Sequence, residues 1–412
     1  MAIPAAGAAK LIFVNRFFDP DESATSQLLT DLARALAARG YDVRIVCCRQ
    51  LYTDPAARLA PFEILAGVHI HRVATTRFGR SGLVGRAIDY ASFYLAAGWR
   101  LLRLLQKGDV LVVKTDPPLL SLLGVMVAGC KAATLITWQQ DIFPEIASRL
   151  GSSPLPARLD AGLRRLRDWS LRRARRNVVI SDRMFEYLRA RGIAAERLCV
   201  IENWADPAAI RPKRSEDSGL RAEWGLADHF VVCYSGNLGR AHEYDTLIAA
   251  AALLRDDFTI RFLMIGDGAK MQSLRFTVRD LALGNFIFQP YQPRERLADS
   301  LAAANVHLIS LLPALEGLIM PSKLYGVLAA GRPVVFIGDP DGAVSRVVGA
   351  AACGYSVGVG EGPRLVHIIR TLQGDPALCC AMGKQARQVL EHRYAAELAV
   401  ARWIALLDSC AS

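Results

Sequence analysis

The stretch Ile309 to Val335, ISLLPALEGLIMPSKLYGVLAAGRPVV, decides how this chain is read. An apolar strand ends near Leu312, and a loop with one acid, Glu316, follows. Pro321, Ser322 and Lys323 open a helix predicted to run to about Ala330. Gly331 stops it, and a second buried strand starts at Pro333. Proline near a helix start and glycine past its end is the expected punctuation. A helix N-terminus has unpaired N–H groups and the positive dipole end, so it suits a phosphate. A lysine in that first turn is poorly placed unless an anion is bound there. An ordinary strand–loop–helix–strand unit is the competing reading, and the rest of the chain decides between them.

Outward from this stretch the same alternation recurs. Residues 11–14 form a short apolar strand, and residues 26–39 repeat Leu28, Leu29, Leu32 and Leu36 at helical spacing. Gly40 ends that helix, and residues 43–47 are the next strand. Residues 110–113, 134–137 and 177–180 are further strands separated by helical stretches. The pattern restarts with strands at 230–234, 261–265, 286–288 and 306–311 and helices at 244–255 and 271–283. Asn203 to Gly225, rich in Pro, Asp, Ser and Arg, reads as a linker. Strands alternating with helices argue a parallel sheet covered on both faces. The chain is therefore expected to be α/β, with two Rossmann-like domains, 1–205 and 206–389, facing a cleft. A C-terminal helix, about 390–412, is expected to pack back on the first domain. Ligands of such sheets sit beyond the C-terminal ends of the strands.

The motifs lie at those ends. Residues 230–234 run into Ser235-Gly236-Asn237-Leu238-Gly239-Arg240. The glycines allow close backbone approach, and Arg240 can meet a phosphate; a tight turn beside a surface arginine is the alternative. Residues 261–265 run into Gly266-Asp267-Gly268, a turn common in α/β folds. Three phosphate-friendly strand ends in one half say more than any one of them. Asp339-Pro340-Asp341 has the D-x-D spacing of a metal site, but a turn after a buried strand explains it. His69 and His71 share a strand face with no third ligand near in sequence, so an ordinary strand pair is expected rather than zinc. There is no GxSxG elbow and no P-loop.

The totals bound the class. The 412 residues fit two or three domains, and 52% hydrophobic with 22% charged residues provides a large core. The start, Met1 to Lys10, does not read as a signal peptide. The longest apolar run, Leu119 to Gly129, is too short to span a bilayer and reads as a buried helix. Nine cysteines, mostly in apolar segments and without a C-x-x-C pair, fit a reducing cytosolic compartment. The net charge of +11 is concentrated in Arg158, Arg164, Arg165, Arg167, Arg172, Arg173, Arg175 and Arg176, offset only by Asp160 and Asp168. Leu155, Leu159, Leu163, Leu166, Trp169 and Leu171 are interleaved. This reads as a basic amphipathic helix suited to an anionic membrane surface. A solvated arginine face or a nucleic-acid groove would also be basic, but no nucleic-acid motif accompanies the charge. Residues 78–105 add Arg80, Arg86, Arg100 and Arg103 among Phe93, Tyr94, Trp99 and several leucines.

Further segments fall into a known order. These are Phe17-Phe18-Asp19-Pro20, Gln139-Gln140-Asp141-Ile142-Phe143-Pro144-Glu145, Val179-Ile180-Ser181 and Val200-Ile201-Glu202-Asn203-Trp204. Met320-Pro321-Ser322-Lys323 through Ala330-Gly331-Arg332-Pro333-Val334 completes them. With these, the chain resembles the retaining GT-B glycosyltransferases of family 4. It is most similar to the bacterial polysaccharide branch that includes colanic-acid and O-antigen fucosyl- or N-acetylfucosaminyl-transferases. The resemblance implies transfer of a sugar from a nucleotide-sugar, with retention, to a saccharide acceptor, expected to be lipid-linked and met at the cytoplasmic membrane face. It implies no cofactor and no metal. Arg240 and Lys323 would hold the diphosphate, helped by the amides of Ser322 and Leu324 and by the turn Gly236, Asn237 and Gly239. Gly266, Asp267 and Tyr291 would border the base and ribose. Gln140 and Asp141 would face the sugar from the first, acceptor-binding domain.

The chain departs from the family pattern. Many relatives carry two glutamates eight residues apart where this chain has Leu318 and Gly326. Glu316, two residues early, is the candidate for the donor-sugar contact, and Gln140 stands where many relatives have histidine. The missing glutamates keep open a catalytically degenerate partner subunit. A GT-B epimerase or phosphorylase is a further alternative, although no lysine signature for pyridoxal phosphate is evident.

Overall fold

The computed structural model describes residues 9–78, 82–151 and 156–411. Arg80 and Leu155, counted above among the basic segments, lie outside the described residues, as do residues 1–8 of the chain start. The chain divides into two compact units, Met1–Glu202 with Ala399–Ser412, and Asn203–Leu398. The sequence reading set this boundary at 205/206 and began the returning segment at about 390.

Among the described residues, unit 1 contains eight strands: β1 Leu11–Val14, β2 Val43–Cys48, β3 Phe62–Leu65, β4 Val68–Val73, β5 Val110–Val113, β6 Thr134–Gln139, β7 Arg176–Val179 and β8 Leu198–Val200. Their order is β3-β4-β2-β1-β5-β6-β7-β8; β3 and β4 pair antiparallel, and the other neighbours among these strands pair parallel. β1 is buried along its whole length, which suits a continuous apolar run in a sheet covered on both faces. The helices Leu83–Leu104 and Leu120–Lys131 pack on it through Phe93, Ala97, Leu101 and Val127. The returning helix, Ala396–Ala411, brings Trp403 edge-on to Phe13 (6.4 Å) and Trp138 (4.8 Å). Arg402 of this helix pairs with Glu202, just after β8, at 2.6 Å. Truncating such a buried tryptophan costs about 3–5 kcal/mol, so this helix is part of the unit's core.

Unit 2 contains β9 Phe230–Ser235, β10 Ile260–Ile265, β11 Phe286–Gln289, β12 Val306–Ser310, β13 Val334–Ile337 and β14 Gly354–Val357. All pairs are parallel, in the order β11-β10-β9-β12-β13-β14. Counted from β9, this is the 3-2-1-4-5-6 order of a doubly wound sheet. The order reverses between β9 and β12, so a crevice opens beyond their C-terminal ends.

The expectation of two α/β halves is met, and three local readings change. β3, β8 and β14 were passed over: β3 is an edge strand with Phe62, Ile64 and Leu65 exposed, and β8 and β14 are largely half-buried, so none shows a buried run. The helix predicted as buried at Leu119–Gly129 covers only one face, through Leu120, Gly124, Val127 and Ala128, while Met126 is exposed. The third change concerns the arginine-rich helix and bears on the sites.

Candidate functional site

In unit 2 the turns after β9, β10 and β11 are stitched together by main-chain bonds. The Gly236 amide donates to the Ile265 carbonyl (2.8 Å), that of Gly266 to Gln289 (2.9 Å), and that of Leu238 to Asp267 (2.8 Å). This packing requires glycine. Gly266 sits at φ +112°, and a Cβ there would stand 2.6 Å from the Gly236 oxygen and 3.1 Å from Tyr291 Cε1. Gly236, at φ +115°, would place a Cβ 3.1 Å from Lys323 Cε. The structure thus brings Gly236, Asn237, Gly266, Tyr291 and Lys323 together from four strand ends. Gly239 and Arg240 follow in the first of these turns, Asp267 in the second; Arg240 and Asp267 are exposed.

Lys323 is the first residue of the helix Lys323–Ala329 and is half-buried. Its Nζ donates to the Asn237 carbonyl (2.9 Å), lies 3.2 Å from His242 Nε2 and 5.0 Å from the Tyr234 ring centroid. Burial lowers its pKa to about 8. His242 Nδ1 is 2.6 Å from the Ser310 carbonyl at the end of β12. A carbonyl only accepts, so Nδ1 carries the hydrogen and Nε2 is left as an acceptor for Lys323. Burial, and secondarily the charge of Lys323, lowers the His242 pKa to about 3, so the ring is neutral.

The helix itself contributes less than its sequence suggests. It is only seven residues long, Ser322 makes no side-chain cap, and the Leu324 amide is 3.2 Å from the Pro321 carbonyl. The Leu324 amide is therefore engaged in a turn rather than pointing unbonded at a ligand. Glu316 Oε1 accepts from the Ala343 amide (2.8 Å) at the start of the helix Ala343–Ala350, a position favoured by the helix dipole. Leu318 is fully buried. In the D-x-D segment, Asp339 Oδ1 accepts from the Asp341 amide (2.9 Å), and Asp341 pairs with Arg346 (3.0 Å), which is turn chemistry.

In unit 1, Gln140 and Asp141 follow β6. Burial raises the Asp141 pKa to about 6, against a hydrogen bond from Thr115 and the charge of Lys114. Lys114 is 1% exposed, its Nζ donating to the Thr25 carbonyl (2.7 Å) and lying 3.8 Å from the Trp138 ring centroid. Beyond β1, β2 and β5 lies a pocket of about 210 Å³, lined by Phe17, Gln50, Tyr52, Tyr90, Asp116 and two arginines, Arg16 and Arg86. His69 and His71 of β4 lie against the Phe62 ring of β3 at 6.3 and 5.0 Å, as in an ordinary strand pair.

The arginine-rich helix, Ala157–Arg173, does not expose all of its charged residues. Arg167 and Asp168 are buried: Arg167 bonds Glu145 (2.7 and 3.0 Å) and Asp168 (2.7 Å), and Asp168 bonds Arg191 (2.7 Å). Leu159, Leu166 and Trp169 are exposed instead, in a stripe with Arg158, Arg165, Arg172 and Arg173. Arg173 stacks over Trp169 at 4.9 Å. The helix Leu83–Leu104 exposes a second stripe, Val84, Ile88, Leu95 (76%), Trp99 (60%) and Leu102. Among the described residues, no helix is long and apolar enough to cross a membrane.

Sequence reasoning did not single out His242, Tyr234, Lys114 or Arg16. A histidine two residues beyond Arg240 was the available signal for the first; the others are legible only once the strand order is known.

Comparison with known proteins follows the same division. Residues 24–204 match the glycosyl transferase 4-like domain, and residues 219–389 match the glycosyl transferases group 1 domain. The chain is 25% identical over 306 residues to a protein named as a glycosyltransferase, WbjE of Pseudomonas aeruginosa, covering 73% of this chain and 74% of that one. It is 30% identical over 162 residues to one named for colanic acid biosynthesis, the glycosyl transferase WcaI of Escherichia coli, covering 39% and 40%. Among solved structures, Anabaena HepE in complex with UDP superposes with a TM-score of 0.73 at 16% identity, over 97% of this chain and 100% of that one. The fold is that of the GT-B glycosyltransferases. Both halves are matched in this order, so the chain carries a glycosyl transferase 4-like domain ahead of a glycosyl transferases group 1 domain.

Proposed function

We propose that this enzyme moves a hexosyl group from a nucleoside-diphosphate sugar, with retention, to a lipid-linked saccharide in bacterial exopolysaccharide, capsule or O-antigen synthesis. The observation that carries the reading is the convergence of Gly236, Gly266, Tyr291 and the half-buried cation Lys323 at the switch point of the second sheet. HepE, which shares the fold, is described with UDP, and WcaI is named for colanic acid biosynthesis. Lys323 and Arg240 meet the diphosphate. Negative charge grows there as the sugar–phosphate bond breaks, and fixed donors lower that barrier. The acceptor hydroxyl attacks from the leaving-group side and its proton passes to the departing phosphate, so no enzyme nucleophile is needed. Ser322 offers its amide, Asp267 and Tyr291 border the base and ribose, and Glu316 is assigned the donor-sugar contact. Asp141 and Gln140 belong to the acceptor side. No metal takes part in this scheme.

The test is a thermal-shift panel with UDP, GDP, dTDP and ADP, followed by donor hydrolysis and transfer with the nucleotide that stabilises most. Binding without hydrolysis or transfer would favour the degenerate subunit. Activity is expected to survive EDTA; loss with EDTA and rescue by magnesium would return Asp339 and Asp341 to the site.

The same proposal places the enzyme on the inner membrane face. Its support is the pair of exposed stripes on unit 1, apolar residues flanked by arginines, which suits an interfacial contact. Each arginine near an anionic surface contributes about 1 kcal/mol. Co-sedimentation with anionic vesicles is expected to exceed that with neutral ones. It should weaken in salt and on changing Arg172, Arg173, Arg175 and Arg176 to Ser. Equal binding by the quadruple variant would remove these arginines from the contact.

A further inference from the structure

Lys323 does not reach the turn after β9 unaided. Two elements fix its ammonium: the Asn237 carbonyl and His242 Nε2, at 2.9 and 3.2 Å. His242 is in turn anchored on both sides. Its ring is held by the Ser310 carbonyl (2.6 Å), and its own carbonyl accepts from Lys270 Nζ (2.7 Å). Ser310 ends β12 and Asn237 follows β9, so this chain of bonds crosses the point where the strand order reverses. The side chain between those two strand ends is neutral imidazole, donating on one edge and accepting on the other.

We infer that His242 is a positioning residue for the diphosphate-binding lysine: it accepts a hydrogen bond from the Lys323 ammonium and holds it, charged, at the mouth of the Gly236–Gly266 turns. The inference rests on the donor-site reading above, and it adds a residue that the reading does not contain. A hydrogen bond accepted from the charged form favours that form. His242 therefore opposes the desolvation that pushes the Lys323 pKa down. The other groups around the pair are Tyr234, whose ring lies 5.0 Å from Nζ and 5.9 Å from the imidazole, Lys270 behind the loop, Glu243 next in sequence, and Arg240, Asp267 and Tyr291 on the neighbouring turns. Lys270 disfavours a further charge nearby, as its effect on His242 shows. Glu243 is held by the Thr246 amide (2.7 Å).

The expected consequence is a pH effect with a definite sign. The ammonium is needed for a diphosphate, so affinity falls as pH rises through the Lys323 pKa. Without the accepting nitrogen, that pKa drops. Above both values, a drop of one unit leaves about tenfold less charged lysine. His242→Leu should thus lose about tenfold more nucleotide affinity at pH 9 than at pH 6. His242→Gln keeps one donor for Ser310 and one acceptor for Lys323, and it should restore the wild-type profile.

Two measurements separate this inference from the functional reading. The first uses no ligand: the acetylation rate of Lys323 with acetic anhydride, followed by mass spectrometry across pH, reports its pKa in wild type, His242→Leu and His242→Gln. A lower pKa in the leucine variant alone is expected. Equal pKa values in all three folded proteins would overturn the inference, whatever the enzyme's substrate. The second is calorimetric titration with the nucleoside diphosphate that wins the thermal-shift panel, at pH 6 and pH 9. A loss in His242→Leu that is the same at both pH values would make His242 a structural residue only. Failure of every nucleotide to bind the wild type would refute the donor-site reading, while the labelling result would still decide the lysine–histidine pair.

Discussion

Each unit places a lysine near the same topological point, and the two lysines live differently. Lys114 follows β5, the neighbour of β1 in the first sheet; Lys323 opens the helix after β12, the neighbour of β9 in the second. Both have an aromatic ring close by and a pKa lowered by burial. Lys114 is shut in, with Trp138 at 3.8 Å and the Thr25 carbonyl on its ammonium. Lys323 faces two glycine turns, where the absence of side chains leaves its ammonium within reach of a ligand. The sheet order brings a cation to the switch point, and the volume of the neighbouring residues decides whether it can meet a substrate.

The largest expected effect follows from that contrast. Lys323→Met should lower turnover roughly 10- to 150-fold, the value of a hydrogen bond to a charged group at about 1.5–3 kcal/mol. Its melting temperature should hardly fall, because a partly desolvated ammonium is removed along with its contacts. Lys114→Met should leave nucleotide affinity unchanged, since all its contacts lie in unit 1. If the two variants behave alike in a titration, the contrast is wrong.

A second effect sharpens the acceptor side. The Asp141 carboxyl, raised to about 6, is mostly protonated below that value and mostly ionised above it. If its carboxylate is used, kcat/KM should climb with pH through about 6 in the wild type, and this limb should vanish in Asp141→Asn. An identical acid limb in the variant would assign it to another group. Lys114→Met should move the limb upward, because the lysine charge stabilises the carboxylate.

Glycines provide the smaller effects. Gly266→Ala forces a Cβ to within 2.6 Å of a backbone oxygen at φ +112°, a strain of about 1–3 kcal/mol, and should weaken nucleotide binding along with stability. Gly162, in the helix Ala157–Arg173, has nothing within 4 Å of a Cβ, so Gly162→Ala should stabilise unit 1 by about 0.5–1 kcal/mol in chemical denaturation. Opposite signs for the two alanines would locate the constrained turns in unit 2.

How much of this was legible in the sequence depends on what each residue's neighbours are. The buried strands were readable because both faces of each sheet are covered, which makes Leu11–Val14 and Val334–Ile337 continuous apolar runs. Gly236, Gly266 and Lys323 were readable because turn chemistry at a strand end is local. In the arginine helix the burial of Arg167 and Asp168 was not legible, because it depends on Glu145 and Arg191, both distant in sequence. The Leu324 amide was misjudged because a bond to Pro321 is a matter of turn geometry. His242 was missed because its role exists only where β12 lies beside β9. The Ala343 amide that meets Glu316 was hidden because it starts the helix after β13, 27 residues further along the chain.

The central claim is that the glycine turns and Lys323 of unit 2 form the nucleotide diphosphate site. Its most direct test is calorimetric titration at pH 7 of wild type, Lys323→Met and Lys114→Met with the nucleoside diphosphate that stabilises the wild type most. The account predicts binding at least tenfold weaker in Lys323→Met and wild-type affinity in Lys114→Met. Wild-type affinity in folded Lys323→Met would contradict it.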